Sequence, residues 1–134
     1  MAKRARVFDS WALMAFLENE PSADKVEELI AQAHETEAPL LITTVNLGEI
    51  WYSLARSRSE ADADTAVAHL VRLGFEVIDA EWELARQAAV LKAKFKLAYG
   101  DCFAGALAKL KKTEVVTGDR EFREIEGEVK VLWV

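Results

Sequence analysis

A chain of 134 residues falls within the range of one domain, and its 51% hydrophobic content is enough for one buried core, so a single domain over residues 1–134 is expected. A charged fraction of 30% and a mean hydropathy near zero exclude a disordered or fibrous chain. The net charge of −6 argues weakly against a phosphate-rich partner, because acids gathered around bound divalent cations would enter this total without presenting a repulsive surface.

Lys3, Arg4 and Arg6 precede an apolar run that ends near Leu17, which is how a secretory signal begins. Asp9 interrupts that run, and the acidic Glu18-Asn19-Glu20 stands where a small-residue cleavage site would be needed. The run is also too short to cross a bilayer, so it reads as a buried strand, Arg6–Phe8, leading into a helix, and no membrane partner is expected. Beyond it, Val26, Leu29, Ile30 and Ala33 recur at helical spacing and are followed by a strand at Leu40–Thr43. A helix from about Val45 to Arg58 carries Leu47, Ile50, Trp51 and Leu54 on its apolar side, with Arg56 and Arg58 at the end where the helix dipole favours cations. The polar stretch Ser57 to Asp64 reads as a loop. Val67, Leu70 and Val71 then mark a helix, and Glu76–Ile78 a strand. Two further helices follow, one with Leu84, Ala88, Leu91 and Phe95 inward, one with Phe103, Leu107 and Leu110 inward. Strands at Glu114–Thr117 and Lys130–Trp133 close the chain. Short branched runs alternating with helices predict an α/β domain with a mainly parallel sheet of about five strands.

Asp9 follows the first strand and Asp119 the fourth, so both belong at the carboxyl edge of the sheet, where open parallel sheets bind ligands. Glu49 sits about a turn into the helix after the second strand and can lean over the same edge. Asp101, at the start of the Phe103–Leu110 helix, is a fourth carboxylate that a compact fold could bring alongside. Crowded carboxylates repel, and Mg²⁺ or Mn²⁺, hard ions that prefer oxygen ligands, would relieve them. A metal held this way can activate water for attack on a phosphodiester. A second reading stands beside this one: aspartate is a favoured helix N-cap, and capping alone would account for Asp9, Asp101 and Asp119, though not for Glu49 inside its helix. Spacing leaves both readings open.

The segments Val7-Phe8-Asp9-Ser10, Val45-Asn46-Leu47-Gly48-Glu49, Asp101-Cys102-Phe103-Ala104-Gly105-Ala106-Leu107-Ala108 and Thr117-Gly118-Asp119-Arg120-Glu121-Phe122 resemble, in order and separation, the four acidic motifs of PIN-domain nucleases. The compact size resembles the VapC-type toxins of toxin–antitoxin pairs in particular. The resemblance implies a three-layer sandwich about the parallel sheet, and a Mg²⁺-dependent endoribonuclease that hydrolyses RNA to a 5′-phosphate and a 3′-hydroxyl. It also implies a cognate antitoxin and a homodimer. Carried over by position, Asp9 and Asp101 are the expected metal contacts, with Glu49 and Asp119 reaching the metal directly or through water. Ser10, Asn46 and Thr117 match neighbouring polar positions, Thr117 orienting a carboxylate. Trp11 departs from the pattern, since smaller residues are frequent there, and it bears on the shape of the pocket.

Other residues read as structural. Cys102, the single cysteine, excludes an internal disulfide and a cysteine-based metal site, suits the cytoplasm, and is expected to be a small buried residue. Lys92, Lys94 and Lys96 with Arg86 could hold an RNA backbone but are favoured as a solvated face, as are Lys109, Lys111 and Lys112. His34 and His69 are expected at the surface or in packing, and Trp11, Trp51, Tyr52, Trp82 and Trp133 in the core. Trp51 and Tyr52, being adjacent, cannot both face one core, so one could anchor a partner helix. Two alternatives remain, a PIN-type nuclease of RNA processing outside any toxin system, and a non-catalytic interaction module on the same fold. Retention of all four acids argues against the module. A phosphatase or receiver-like domain would need a second acid beside Asp9, which the first strand does not supply.

Overall fold

The computed structural model describes residues 4–134; Lys3 of the basic run lies outside the described residues. The chain runs β1 (Arg6–Phe8), α1 (Ser10–Leu17), α2 (Ala23–Thr36), β2 (Leu40–Thr43), α3 (Thr44–Ser57), α4 (Glu60–Arg72), β3 (Phe75–Ile78), α5 (Trp82–Lys94), α6 (Tyr99–Leu110), β4 (Glu114–Thr117), a 3-10 turn (Arg120–Ile125) and β5 (Lys130–Trp133). The five strands form one sheet in the order β3-β2-β1-β4-β5, with every neighbouring pair parallel. Among the described residues no helix is long and apolar enough to cross a membrane.

Strand alternation divides the core into two layers. Val7 is in register with Leu41 and Val115, and all three face a cluster completed by Leu84, Ala88 and Leu91 of α5 and Phe103 and Leu107 of α6. Phe8 and Val116 point the other way with Leu40 and Ile42, into a cluster with Leu13 of α1, Val26 and Ile30 of α2, Ile50 of α3 and Leu70 of α4. Phe8 meets Phe75 edge to face at 5.1 Å in that second layer. With helices on both faces, the architecture is the three-layer sandwich expected, and the inner strands β1, β2 and β4 are mostly buried because both of their faces are covered.

Three sequence expectations are corrected. The stretch from Ser57 to Asp64 is not a loop: Ser59 accepts the Asp62 N–H at 3.0 Å, so α4 begins at Glu60, and Glu60 and Asp62 suit the positive end of its dipole. Val71 is 51% exposed and leaves Leu70 to carry the buried face of α4. Of the aromatics expected in the core, Trp82 is 74% exposed at the start of α5 and Tyr52 is 46% exposed on α3. Trp51, next to Tyr52, is half-buried and donates its Nε1–H to Asp64.

The histidines and lysines behave as the structural readings have them. His34 donates Nε2–H to the Leu73 carbonyl, and His69 stacks on Phe16. Lys92 donates to the Leu97 carbonyl at 2.8 Å, and Lys94 and Lys109 pair with Glu128. Cys102 is buried, with its thiol toward the Leu97 carbonyl.

Candidate metal centre

The strand order sets the place of the site. After β1 the chain builds outward through β2 and β3, then returns to the other side of β1 for β4, so connections diverge between the carboxyl ends of β1 and β4. The residue leaving β1 is Asp9, and the residues leaving β4 are Thr117, Gly118 and Asp119.

Asp9 is fully buried. Its Oδ1 accepts the Ala12 N–H at 2.8 Å, capping α1, and its Oδ2 accepts the Thr117 hydroxyl at 2.5 Å. Burial pushes its carboxyl up to about 7, against the pull of the Thr117 and Ala12 bonds, and the charges of Asp101 and Asp119 add to the rise. The Thr117 hydroxyl in turn accepts the Asp119 N–H at 3.0 Å, so one side chain ties the two strand ends together.

Glu49 is held by a chain of hydrogen bonds that starts at the end of β2. Thr43 caps α3 by accepting the Asn46 N–H at 3.0 Å and donates its hydroxyl to Asn46 Oδ1 at 2.7 Å. Asn46 therefore presents its amide N–H groups outward, to Glu49 Oε1 at 2.9 Å and the Gly100 carbonyl at 3.0 Å. Ser10 also donates to Glu49 Oε1, at 3.1 Å. Gly100 is required by this packing, since a Cβ there would lie 2.3 Å from Glu49 Oε2.

Asp101 lies inside α6, whose N-cap is Ala98, and it is only 9% exposed. Its carboxylate receives no hydrogen bond from any described residue, so capping does not explain it. Burial first, then the charges of Asp119, Glu49 and Glu121, push its carboxyl up to about 7. Capping does apply to Asp9 and to Asp119, whose Oδ1 accepts the Glu121 N–H at 3.0 Å at the start of the 3-10 turn.

Carboxylate oxygens of Asp101, Asp119 and Glu121 lie within 4.8 Å of one another, a separation that one divalent cation can bridge. Glu121 is the residue that sequence reasoning passed over. Its signal was its place two residues after Asp119, where the tight 3-10 turn brings the exposed side chain back toward Asp119. Asp9 and Glu49 lie outside this trio, although their charges couple to Asp101. Glu49, Asp101 and Asp119 line an open cleft of ≈ 290 Å³ together with Trp11, Met14 and Tyr52. Among the described residues, no lysine or arginine lines that cleft and no ion pair involves any of the five acids. An all-oxygen donor set with uncompensated charge fits Mg²⁺ or Mn²⁺ and gives no purchase to a softer metal.

A family model described as PIN domain matches residues 6–128. Solved structures similar to this chain include the DNA-bound VapBC of Salmonella typhimurium, at 18% identity over 99% of this chain and 98% of that one, with a TM-score of 0.77. The VapBC2 complex of Rickettsia felis bound to promoter DNA matches at 15% identity over 97% and 98%, with a TM-score of 0.75. VapC20 of Mycobacterium tuberculosis, a toxin that cleaves the sarcin–ricin loop, matches at 19% identity over 94% and 98%, with a TM-score of 0.70. At these identities the likeness is one of fold. No curated protein matches the chain by sequence.

Proposed function

Because the chain belongs to the PIN-domain family, we propose that it is a metal-dependent endoribonuclease and the toxin of a toxin–antitoxin pair. The observation that carries this reading is the trio Asp101, Asp119 and Glu121 within 4.8 Å, backed by Asp9 and Glu49 and with no ion-pair partner among the described residues. Asp101, Asp119 and Glu121 would hold Mg²⁺, or Mn²⁺ in its place, with Asp9 and Glu49 reaching it directly or through water. The ion would supply charge neutralisation for a phosphate oxygen and a lowered pKa for the attacking water. The residues of the chain do the remaining work. Asn46 and Ser10 fix the Glu49 carboxylate at the cleft, where it can orient the water. Thr117 keeps Asp9 turned toward the strand ends. Hydrolysis would leave a 5′-phosphate and a 3′-hydroxyl.

The partners follow from the same surface. A cleft of acids without cations suits a basic side chain of an antitoxin, which would displace metal and silence the enzyme. VapBC complexes among the similar structures support such a partner. A homodimer is supported by an apolar hollow on α3 and α4 lined by Leu47, Gly48, Trp51 and Val67, where a Cβ on Gly48 would meet nothing. A cytoplasmic setting, which the single cysteine suits, completes the reading.

The test is cleavage of a mixed pool of structured RNAs by antitoxin-free protein with Mg²⁺, with Mn²⁺ and with EDTA, alongside Asp9→Asn. Cuts that need metal and vanish in the variant are expected. Absence of cutting under every condition, or equal cutting by the variant, overturns the reading.

A further inference from the structure

Two acids of the trio, Asp119 and Glu121, stand on the short segment that leaves β4, and each end of that segment meets another element at a glycine. We propose that Trp11 is a positioning residue for the metal site: its indole, seated against Gly118, holds Asp119 and Glu121 at the spacing from Asp101 that a cation needs. This rests on the metal-site reading of the trio. At the far end Phe122 and Ile125 are fully buried, and Ile125 Cδ1 would lie 2.8 Å from a Cβ on Gly105, one turn beyond Asp101 in α6. Glycine inside a helix costs about 1 kcal/mol against alanine, and here it makes room for Ile125. At the near end a Cβ on Gly118 would fall 2.2 Å from Trp11 Cη2 and Cζ3, whereas carbons pack best at about 3.5–4.0 Å. The backbone conformation of Gly118 does not call for glycine, since among the described residues Gly74 is the glycine with a positive φ. The ring of Trp11 is what requires it.

Trp11 is aimed by the same helical turn that serves the other acids. Asp9 caps α1 by accepting the Ala12 N–H at 2.8 Å, which fixes the first turn of that helix. Within the turn Ser10 donates to Glu49 at 3.1 Å and Trp11 reaches Gly118, so Asp9, Ser10 and Trp11 join the end of β1 to Glu49 and to the Asp119 segment. An indole is a rigid plate turned by two torsions, and it gives way less readily than a long aliphatic chain. The position of the segment needs such support, because the charges of Asp119 and Glu121 act against that of Asp101. A segment free to move would relieve this repulsion by retreating from Asp101 in the metal-free protein, and the cation would then have to draw it back. Contacts at both ends, Ile125 on Gly105 and Trp11 on Gly118, oppose that retreat.

The experiment measures Mn²⁺ binding to RNA-free protein by paramagnetic resonance of the free ion, together with the melting temperature of each protein in EDTA. The proteins are the parent, Trp11→Ala, Trp11→Phe, Gly118→Ala and the double variant Trp11→Ala/Gly118→Ala. Trp11→Ala and Gly118→Ala should each weaken Mn²⁺ binding about ten-fold or more, and Trp11→Phe, which keeps a ring against the glycine, should recover most of the affinity. The double variant should bind no worse than the weaker single variant, because the collision at Gly118 needs both partners. A side chain that only fills space would lower the melting temperature and leave the Mn²⁺ Kd at the parent value; that result overturns the inference and leaves the trio standing. Additive losses in the double variant, or a Phe variant as weak as the Ala variant, overturn it likewise. Gly118→Ala keeps the test sound if Trp11→Ala fails to fold, since a parent Kd in it is enough to refute the role of the contact. A parent that binds no Mn²⁺ overturns both the inference and the metal-site reading.

Discussion

Asp9 and Asp101 are both raised to about 7 from an ordinary value of 3.8, with burial the leading cause in each. Below pH 3.8 both are protonated whether the chain is folded or not, and they cost nothing. As pH rises the unfolded chain releases these protons first, while the folded protein holds them until about 7, so stability falls across that window and the loss is complete above it. The EDTA-treated protein should therefore melt lower at pH 8 than at pH 5, by roughly 5 °C or more, as read by calorimetry. Asp101→Asn, which removes one of the coupled charges, should flatten this slope while abolishing metal-dependent cleavage. A melting temperature independent of pH in the metal-free parent would mean that the buried carboxyls are compensated by something other than protons.

Gly100 links two elements, because the Glu49 carboxylate of α3 occupies the space that a side chain at this position of α6 would take. In Gly100→Ala the new Cβ would fall 2.3 Å from Glu49 Oε2, so the carboxylate must leave its bonds from Asn46 and Ser10. Alanine is a better helix former than glycine by about 1 kcal/mol, which offsets part of the crowding. Activity should drop by about ten-fold or more with little change in melting temperature. A variant with full activity would show that the fixed position of Glu49 is dispensable. Elements also set the limits of sequence reading here. The polar residues after Ser57 look like a loop because a solvated first turn and a loop share composition; the Ser59 cap separates them. Asp101 looks like a cap because it stands near the start of a helix, yet α6 begins two residues earlier at Tyr99.

At the scale of the molecule, the strand order gathers acids from distant parts of the chain onto one edge, and a cation bound there would be bound by the folded state alone. Mg²⁺ should thus raise stability with concentration, by about 2.7 kcal/mol at a hundred times its Kd. The rise should be steeper at pH 8 than at pH 5, where the raised carboxyls compete for protons. Thermal melts in a Mg²⁺ titration at both pH values check this, and a flat response at both would argue against any ion at the acids.

The amino-acid sequence by itself determined the class of the fold and its motifs, because apolar periodicity and strand alternation are local properties: Val7, Leu41 and Val115 face one core and Phe8, Ile42 and Val116 the other, as their positions in each strand require. It also placed Asp9, Glu49, Asp101 and Asp119 as candidates by order and spacing. Only the tertiary structure decided which acids meet. Bringing Glu121 beside Asp101 depends on the return of β4 to β1 and on the tightness of the turn after Asp119. The exposure of Tyr52 and Trp82 was likewise settled by which face of each helix its neighbours cover, a long-range outcome that no local pattern contains.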